Sequence, residues 1–480
     1  MDFRPILYIL GIFLSILAVS MVLPMLADIY WGNQDWKVFF LCIVITSFFG
    51  GSLILSNVGL EFSLSIRQAF MMTFLSWIGL SIFAALPFNL SGMDMSFTDS
   101  FFEAVSGITT TGSTVIVGLD NAPPGILLWR AILQWLGGIG IIIMAMSVLP
   151  FLSVGGMQIF STELSESEKA LPRAAQLASS IGLIYVLMTI ACVIAYLSAG
   201  MGKFDALAHA MTTIATGGFS TYDNSIGHFE SKTINSIAIF FMILAGLPFV
   251  LYLKAVRGNL SPLFRDPQVR WFLAILLGSI VVTTLYLLMH QDMSLPQAIM
   301  GSTFNLTSLM TGTGYATEQY DQWGGFVVAM LFFLMAMGAC AGSTSCGIKI
   351  FRFQIFLSVT KVQIKKLLHP NGTFLAHYNG RPIPEDVPLS VMSFLFLYAL
   401  CFIGLALALS AVGLDFITAL SGAMTSISNV GPGLGDVIGP SGSFATLPDS
   451  AKWILSIGML LGRLEILAAF VLLHPSFWKH

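Results

Sequence analysis

One short pattern returns four times along this chain and limits what the chain can become. It reads Thr109-Thr110-Thr111-Gly112-Ser113-Thr114, then Ala215-Thr216-Gly217-Gly218-Phe219, then Gly312-Thr313-Gly314-Tyr315-Ala316, then Asn429-Val430-Gly431-Pro432-Gly433. Aligned on Gly112, Gly217, Gly314 and Gly431, every copy places Thr or Val before its glycine. Each copy sits in a polar break between two long apolar runs, and a short amphipathic segment precedes it. The pattern therefore predicts four units of helix, half-helix, glycine turn and helix.

The apolar runs decide the solvent. Hydrophobic residues make up 56% of the chain and charged residues 9%, against roughly 25% charged in a soluble domain. Runs of about 20 apolar residues recur throughout, long enough to span a hydrocarbon core of roughly 30 Å. The fold class is an all-α polytopic membrane protein. The net charge of −3 points to no nucleic-acid partner. The first span, from about Ile6, is too long for a signal-peptide core and is read as retained. Cys42, Cys192, Cys340, Cys346 and Cys401 fall within or at the end of apolar runs without metal-ligand spacing, which predicts buried free thiols.

In chain order, residues 1–62 form an accessory hairpin of two spans, 6–30 and 37–57, outside the repeat. Unit one covers 63–160, with spans near 67–88 and 125–150 and a half-helix starting at Ser96 with Asp99 three residues on. Unit two covers 161–262, with spans near 174–199 and 233–256 and a half-helix at 204–215. Unit three covers 263–372, with spans near 269–290 and 324–345 and a half-helix capped by Ser294-Leu295-Pro296-Gln297. Unit four covers 373–480, with spans near 388–412 and 451–474 and a half-helix from Asp415 to Ser428. Ten spans put both termini on one side. Basic residues cluster between the units, as at Lys254, Arg257, Arg265 and Arg270, and from Lys349 and Arg352 to Lys366. The positive-inside rule makes that side, and both termini, cytoplasmic. The glycine turns then open outward beside acids such as Asp120, Asp223, Asp321 and Asp436, which would concentrate cations at the mouth.

Irregular backbone survives at membrane depth only when buried in protein or lining a water-filled cavity. Four such stretches in one chain point at each other. Glycine permits the φ > 0 needed to turn successive carbonyls toward an axis. Carbonyl oxygens can replace the hydration shell of a cation, and each half-helix turns its negative end to the site. Hydroxyls of Thr110, Thr111, Thr216 and Thr313 are candidate additional ligands.

Two further stretches stand out. Gly338 to Gly347, with Gly342, Ser343, Thr344 and Ser345, interrupts the second span of unit three and makes poor helix. It suits either close helix packing or a flexible loop that occludes a pore beneath the turns. Lys349 and Arg352 then open a basic cytoplasmic segment. Arg463 lies about twelve residues, or roughly 18 Å, into the last span, at a depth where a charge costs several kcal/mol. It must face a pore or pair with another helix, because Glu465 leaves from a different face of the same helix. Arg130 is near the end of its span and is expected to snorkel in a structural role. Glu103 either stabilises the first turn or satisfies backbone, and His209 reads as a buried hydrogen-bonding residue.

Together these stretches resemble the Trk/Ktr/HKT potassium transporter superfamily, most closely its bacterial TrkH/TrkG potassium uptake branch. The resemblance covers essentially the whole chain. It implies four fused membrane–pore–membrane units around a single central pore, with K+ as the transported ion. Carried over, the filter glycines are Gly112, Gly217, Gly314 and Gly431, with Thr110, Thr111, Thr216, Thr313 and Val430 beside them. No copy has the full TVGYG signature of tetrameric potassium channels. Plant members with serine at the first filter position carry sodium, so Gly112 favours potassium. The resemblance also implies an intramembrane gating loop at Gly342, Ser343, Thr344, Ser345 and Gly347, and Arg463 projecting into the pore. It further implies a homodimer in the bacterial inner membrane and a cytoplasmic TrkA-type nucleotide-binding regulatory subunit. The chain itself has neither a P-loop nor a Rossmann fingerprint. A proton- or sodium-coupled carrier with alternating access is the main competing class, but it predicts two similar halves rather than four quarters. An enzyme would need a metal or nucleophile cluster that the sequence does not offer.

Overall fold

The computed structural model describes residues 2–59, 65–147, 156 and 170–479. Nearly all regular structure is helical. Among the described residues the one pair of strands is a small hairpin, His377–Tyr378 paired with Arg381–Pro382. Its turn residues Asn379 and Gly380 both have φ > 0, as a tight hairpin turn requires.

The accessory hairpin consists of Arg4–Ser20 continuing as Val22–Trp31, and Trp36–Leu55. Asp28 ties it to the rest. Its buried carboxylate accepts a 2.7 Å bond from the Gly125 amide, capping the first turn of Pro124–Ser147, where orphan amides need an acceptor.

The four units follow. Unit one has Ile66–Leu90, the half-helix Phe97–Ile108, and Pro124–Ser147. Unit two has Ala170–Ser198, the half-helix Lys203–Ile214, then Lys232–Ala245 and Phe249–Val256. Unit three has Pro267–His290, the half-helix Leu295–Thr311, then Gly325–Ala336 and Ile350–Leu368. Unit four has Asp386–Ala411, the half-helix Phe416–Ser428, then Asp449–Arg463 and Ile466–Leu473. Three of the half-helices start at side-chain caps, and Lys203–Ile214 starts at Gly202 without one. Ser96 accepts from Asp99 N, Ser294 forms a reciprocal box with Gln297, and Asp415 accepts from Thr418 N.

Three expected spans are not straight. Among the described residues seven helices are long and apolar enough to cross a membrane, and two bent pairs bring the number to nine. Lys232–Ala245 meets Phe249–Val256 at 92°, where Gly246 and Pro248 break the helical bond ladder. Asp449–Arg463 meets Ile466–Leu473 at 107°, with Glu465 left-handed at φ 58. The second span of unit three stops at Ala336, and its glycine-rich continuation runs as a loop to Lys349. Loop and bend satisfy each other's backbone. Cys340 N donates to Gly246 O at 3.2 Å, Phe249 N donates to Gly342 O at 2.9 Å, and the Thr344 hydroxyl reaches Ala245 O at 3.1 Å. Non-helical backbone at membrane depth needs such partners.

Candidate functional site

Each half-helix ends in the same two-step turn. Thr110 N bonds Gly107 O and Thr111 N bonds Ser106 O. Thr216 and Gly217 repeat this with Thr213 and Thr212, Gly312 and Thr313 with Leu309 and Ser308, and Asn429 and Val430 with Ser426 and Thr425. This is the Schellman closure, whose first residue is left-handed. Thr110, Thr216, Gly312 and Asn429 accordingly have φ of 53, 49, 74 and 53. Two residues on, Gly112, Gly218, Gly314 and Gly431 are left-handed again, at φ 89, 76, 79 and 112.

That backbone corrects the alignment of the second copy. The residue in register with Gly112, Gly314 and Gly431 is Gly218, not Gly217. Gly217 stands where Thr111, Thr313 and Val430 stand in the other copies.

The four turns are ringed, not scattered. A Cβ on Gly112 would strike the Gly217 carbonyl, and one on Gly218 the Thr313 carbonyl. One on Gly314 would strike the Val430 carbonyl, and one on Gly431 the Thr111 carbonyl at 2.8 Å. Each glycine thus accepts its neighbour's carbonyl against its bare Cα, and the fourth copy closes on the first. Ser113 fastens that closure by donating to Gly431 O at 2.7 Å.

Buried polar side chains on the half-helices hold the strand that leaves each turn. Glu103 accepts from Val115 N at 2.9 Å and from the Thr114 hydroxyl. His209 Nδ1 faces Asp205 O at 2.8 Å, so it carries the proton, and Nε2 accepts from Ser220 Oγ at 2.9 Å. Asn305 accepts from Thr317 N at 3.2 Å and donates to the Thr317 hydroxyl at 3.0 Å. Ser421 accepts from Leu434 N at 3.0 Å. The two roles left open for Glu103 are therefore one role, and His209 is a strut.

Arg130 does not snorkel. It is 1% exposed and pairs with fully buried Glu103 at 2.8 Å. It also donates to Ser220 O at 2.7 Å and lies 4.1 Å from the Phe219 ring centre. A charge this deep persists only with its partner in place. The pair therefore clamps the first and second turns together. Gln134, which the sequence did not single out, bridges Gly217 O at 2.6 Å and Phe219 N at 3.0 Å.

The candidate hydroxyl ligands are engaged in the scaffold. Thr111 Oγ1 meets Thr109 Oγ1 at 2.7 Å and accepts from Asn429 at 2.8 Å. Thr313 Oγ1 meets Thr311 Oγ1 at 2.8 Å, and Thr216 donates to Ala215 O. Thr110 Oγ1 lies 3.7 Å from Cys346 Sγ. Among the described residues no three His, Cys, Asp or Glu converge as a metal site. The oxygens that remain in number at the ring are main-chain carbonyls.

The glycine-rich loop lies against one end of this ring. Cys346 touches Thr110, and its backbone amide would lie 3.5 Å from a Cβ on Gly312. Within the loop, Ser343 Oγ donates to Cys340 O at 2.7 Å, Ser345 Oγ accepts from Ala339 N at 3.0 Å, and Gly342 and Gly347 take φ of 74 and 73. Arg463 donates to Cys346 Sγ at 2.5 Å and to Gly137 O at 2.8 Å. Loop and arginine line a partly open cavity of about 30 Å³, together with Ile141, Lys349, Gly462 and Glu465. Lys349 and Arg352, which open the basic segment, are buried. Lys349 Nζ bonds Ser345 O. Arg352 pairs with Glu465 at 2.5 Å and stacks on Phe394 at 3.6 Å. The helix break at Glu465 turns that carboxylate toward Arg352 rather than Arg463.

The family model described as "TrkH: Cation transport protein" matches residues 35–479. The chain belongs to the TrkH family. It is a transport protein of the membrane and not an enzyme. A TrkH-family relative, the Trk system potassium uptake protein TrkI of Halomonas elongata, is 44% identical over 477 residues, covering 99% of this chain and 97% of that one. The Trk system potassium uptake protein TrkH of Escherichia coli is 37% identical, with full coverage of both chains. The crystal structure of the potassium transporter TrkH from Vibrio parahaemolyticus superposes with a TM-score of 0.92 at 36% identity over all of both chains.

Proposed function

We propose that this chain takes up potassium across the bacterial inner membrane, along the axis ringed by Gly112, Gly218, Gly314 and Gly431. One observation carries the reading: four half-helices end in identical turns whose carbonyls pack in sequence on the next glycine until the ring closes. A closed ring of main-chain oxygens suits a dehydrated monovalent cation, which needs many weak ligands and must leave again. Four half-helix C-terminal ends add about half a negative charge each. The relatives named for potassium uptake supply the choice of ion.

The loop from Gly338 to Gly347 is the gate, and Arg463 is a fixed positive charge beneath the ring that limits leak. Potassium enters from the outer, acidic face. Both termini and the basic segment from Lys361 to Lys366 face the cytoplasm. That segment continues the helix that follows the loop, so a TrkA-type nucleotide-binding subunit bound there would pull on the gate. The native assembly is a homodimer with one pore per chain. Purified protein in liposomes tests the reading. Potassium flux should exceed sodium flux and respond to the regulatory subunit. Equal fluxes of both ions would overturn it.

A further inference from the structure

The ring has one weak link, and it lies between Gly217 and Gly218. At the corresponding peptide the other copies have Thr111–Gly112, Thr313–Gly314 and Val430–Gly431. A β-branched residue on one side of a peptide stiffens it. Two successive glycines put no Cβ on either side, so this plane rotates most freely of the four. A flipped plane would carry its carbonyl out of the ring.

Gln134 stands against this plane. It is fully buried on Pro124–Ser147. Its Nε2 donates to Gly217 O at 2.6 Å, the oxygen of the plane itself, and its Oε1 accepts from Phe219 N at 3.0 Å. The carboxamide holds the oxygen of the Gly217–Gly218 peptide and the amide of the next peptide, Gly218–Phe219. It also occupies the room a side chain at 217 would need, since a Cβ there would collide with the Gln134 amide. Gly217 is not left-handed, so its own backbone does not demand glycine. Glycine is there because Gln134 fills the space.

Building on the filter reading, we propose that Gln134 is a positioning residue for ion selectivity, locking the Gly217–Gly218 peptide against rotation in place of the side chain that Gly217 lacks. It touches no ion. Its effect is on which carbonyl geometry the ion meets.

The test uses the full-length protein in liposomes and measures the K+/Na+ permeability ratio. Gln134→Leu keeps the bulk and removes both hydrogen bonds. The ratio should fall about tenfold, the scale of a lost hydrogen bond to a key carbonyl, with sodium flux rising rather than both fluxes falling. Gln134→Ala should do the same, and adding Gly217→Thr should restore the ratio, because threonine then enters the vacated space and stiffens the plane as in copies one and three. An unchanged ratio in a folded Gln134→Leu protein would overturn the proposal. So would a proportional loss of both fluxes, or a double variant no better than Gln134→Ala. If Gln134→Leu fails to fold, Gln134→Met, which keeps the length and offers no donor to Gly217 O, is read by the same criteria. A wild-type protein without potassium preference would instead refute the filter itself, which separates the two failures.

Discussion

Removing Arg130 and Glu103 together should cost less than the sum of removing each alone. In Arg130→Met the Glu103 carboxylate, 0% exposed, loses its countercharge. Breaking one side of a buried pair costs about 3–5 kcal/mol. The variant also loses the Arg130 bond to Ser220 O and the contact with the Phe219 ring, worth up to about 2 kcal/mol. In Glu103→Leu with Arg130→Met no charge is stranded. Thr114, Val115 N and Ser220 O lose partners, and an unsatisfied buried group costs about 1–3 kcal/mol. The two single effects should therefore overshoot the double by at least about 2 kcal/mol, well beyond the additivity of independent sites. The assay is a double-mutant cycle of unfolding free energy in detergent micelles, with potassium uptake measured in parallel. Uptake should fall in each single variant, because the pair joins the strands leaving turns one and two, and partly return in the double. Additive losses would refute the clamp.

Gly218→Ala should abolish potassium uptake. It forces alanine into φ 76, costing about 1–2 kcal/mol, and drives its Cβ into the Thr313 carbonyl. Gly404→Ala, with open space around the added methyl, should grow at low potassium like the wild type. Arg463→Ala should raise single-channel conductance severalfold, and unchanged or lower conductance would count against the charge barrier. Asp415 is exposed, and its carboxyl is held below the usual aspartate range by its bonds from Thr418. Its capping stabilisation is full above the ordinary aspartate value and drains away as pH falls through the depressed one. A melting-temperature profile in acid should show this. Asp415→Asn, which caps without titrating, should remove that part of the acid dependence.

The half-helices were legible because their signals are local. Ser96 with Asp99, Ser294 with Gln297, and Asp415 each announce a helix start within four residues. The ring was legible because its pattern repeats. The register of the second copy was not, because Gly217 and Gly218 are identical letters. Only the backbone, and Gln134 from a helix far back in the chain, tells them apart. The bends at Gly246–Pro248 and at Glu465 were hidden by the apolar runs around them, since hydropathy counts residues and does not see direction. Arg130 read as a snorkelling residue near the end of its span, and Lys349 and Arg352 as the start of a basic segment. Arg130 and Lys349 find Glu103 and Ser345 within their own units, where folding of the unit turns them inward, and only Arg352 pairs across units, with Glu465.

The most direct test of the account is where a potassium-like ion rests. Diffraction from crystals soaked in rubidium or thallium should place anomalous density on the axis between Gly112, Gly218, Gly314 and Gly431, with main-chain oxygens of all four turns as ligands. Density at side-chain carboxylates elsewhere, with that axis empty, would contradict it.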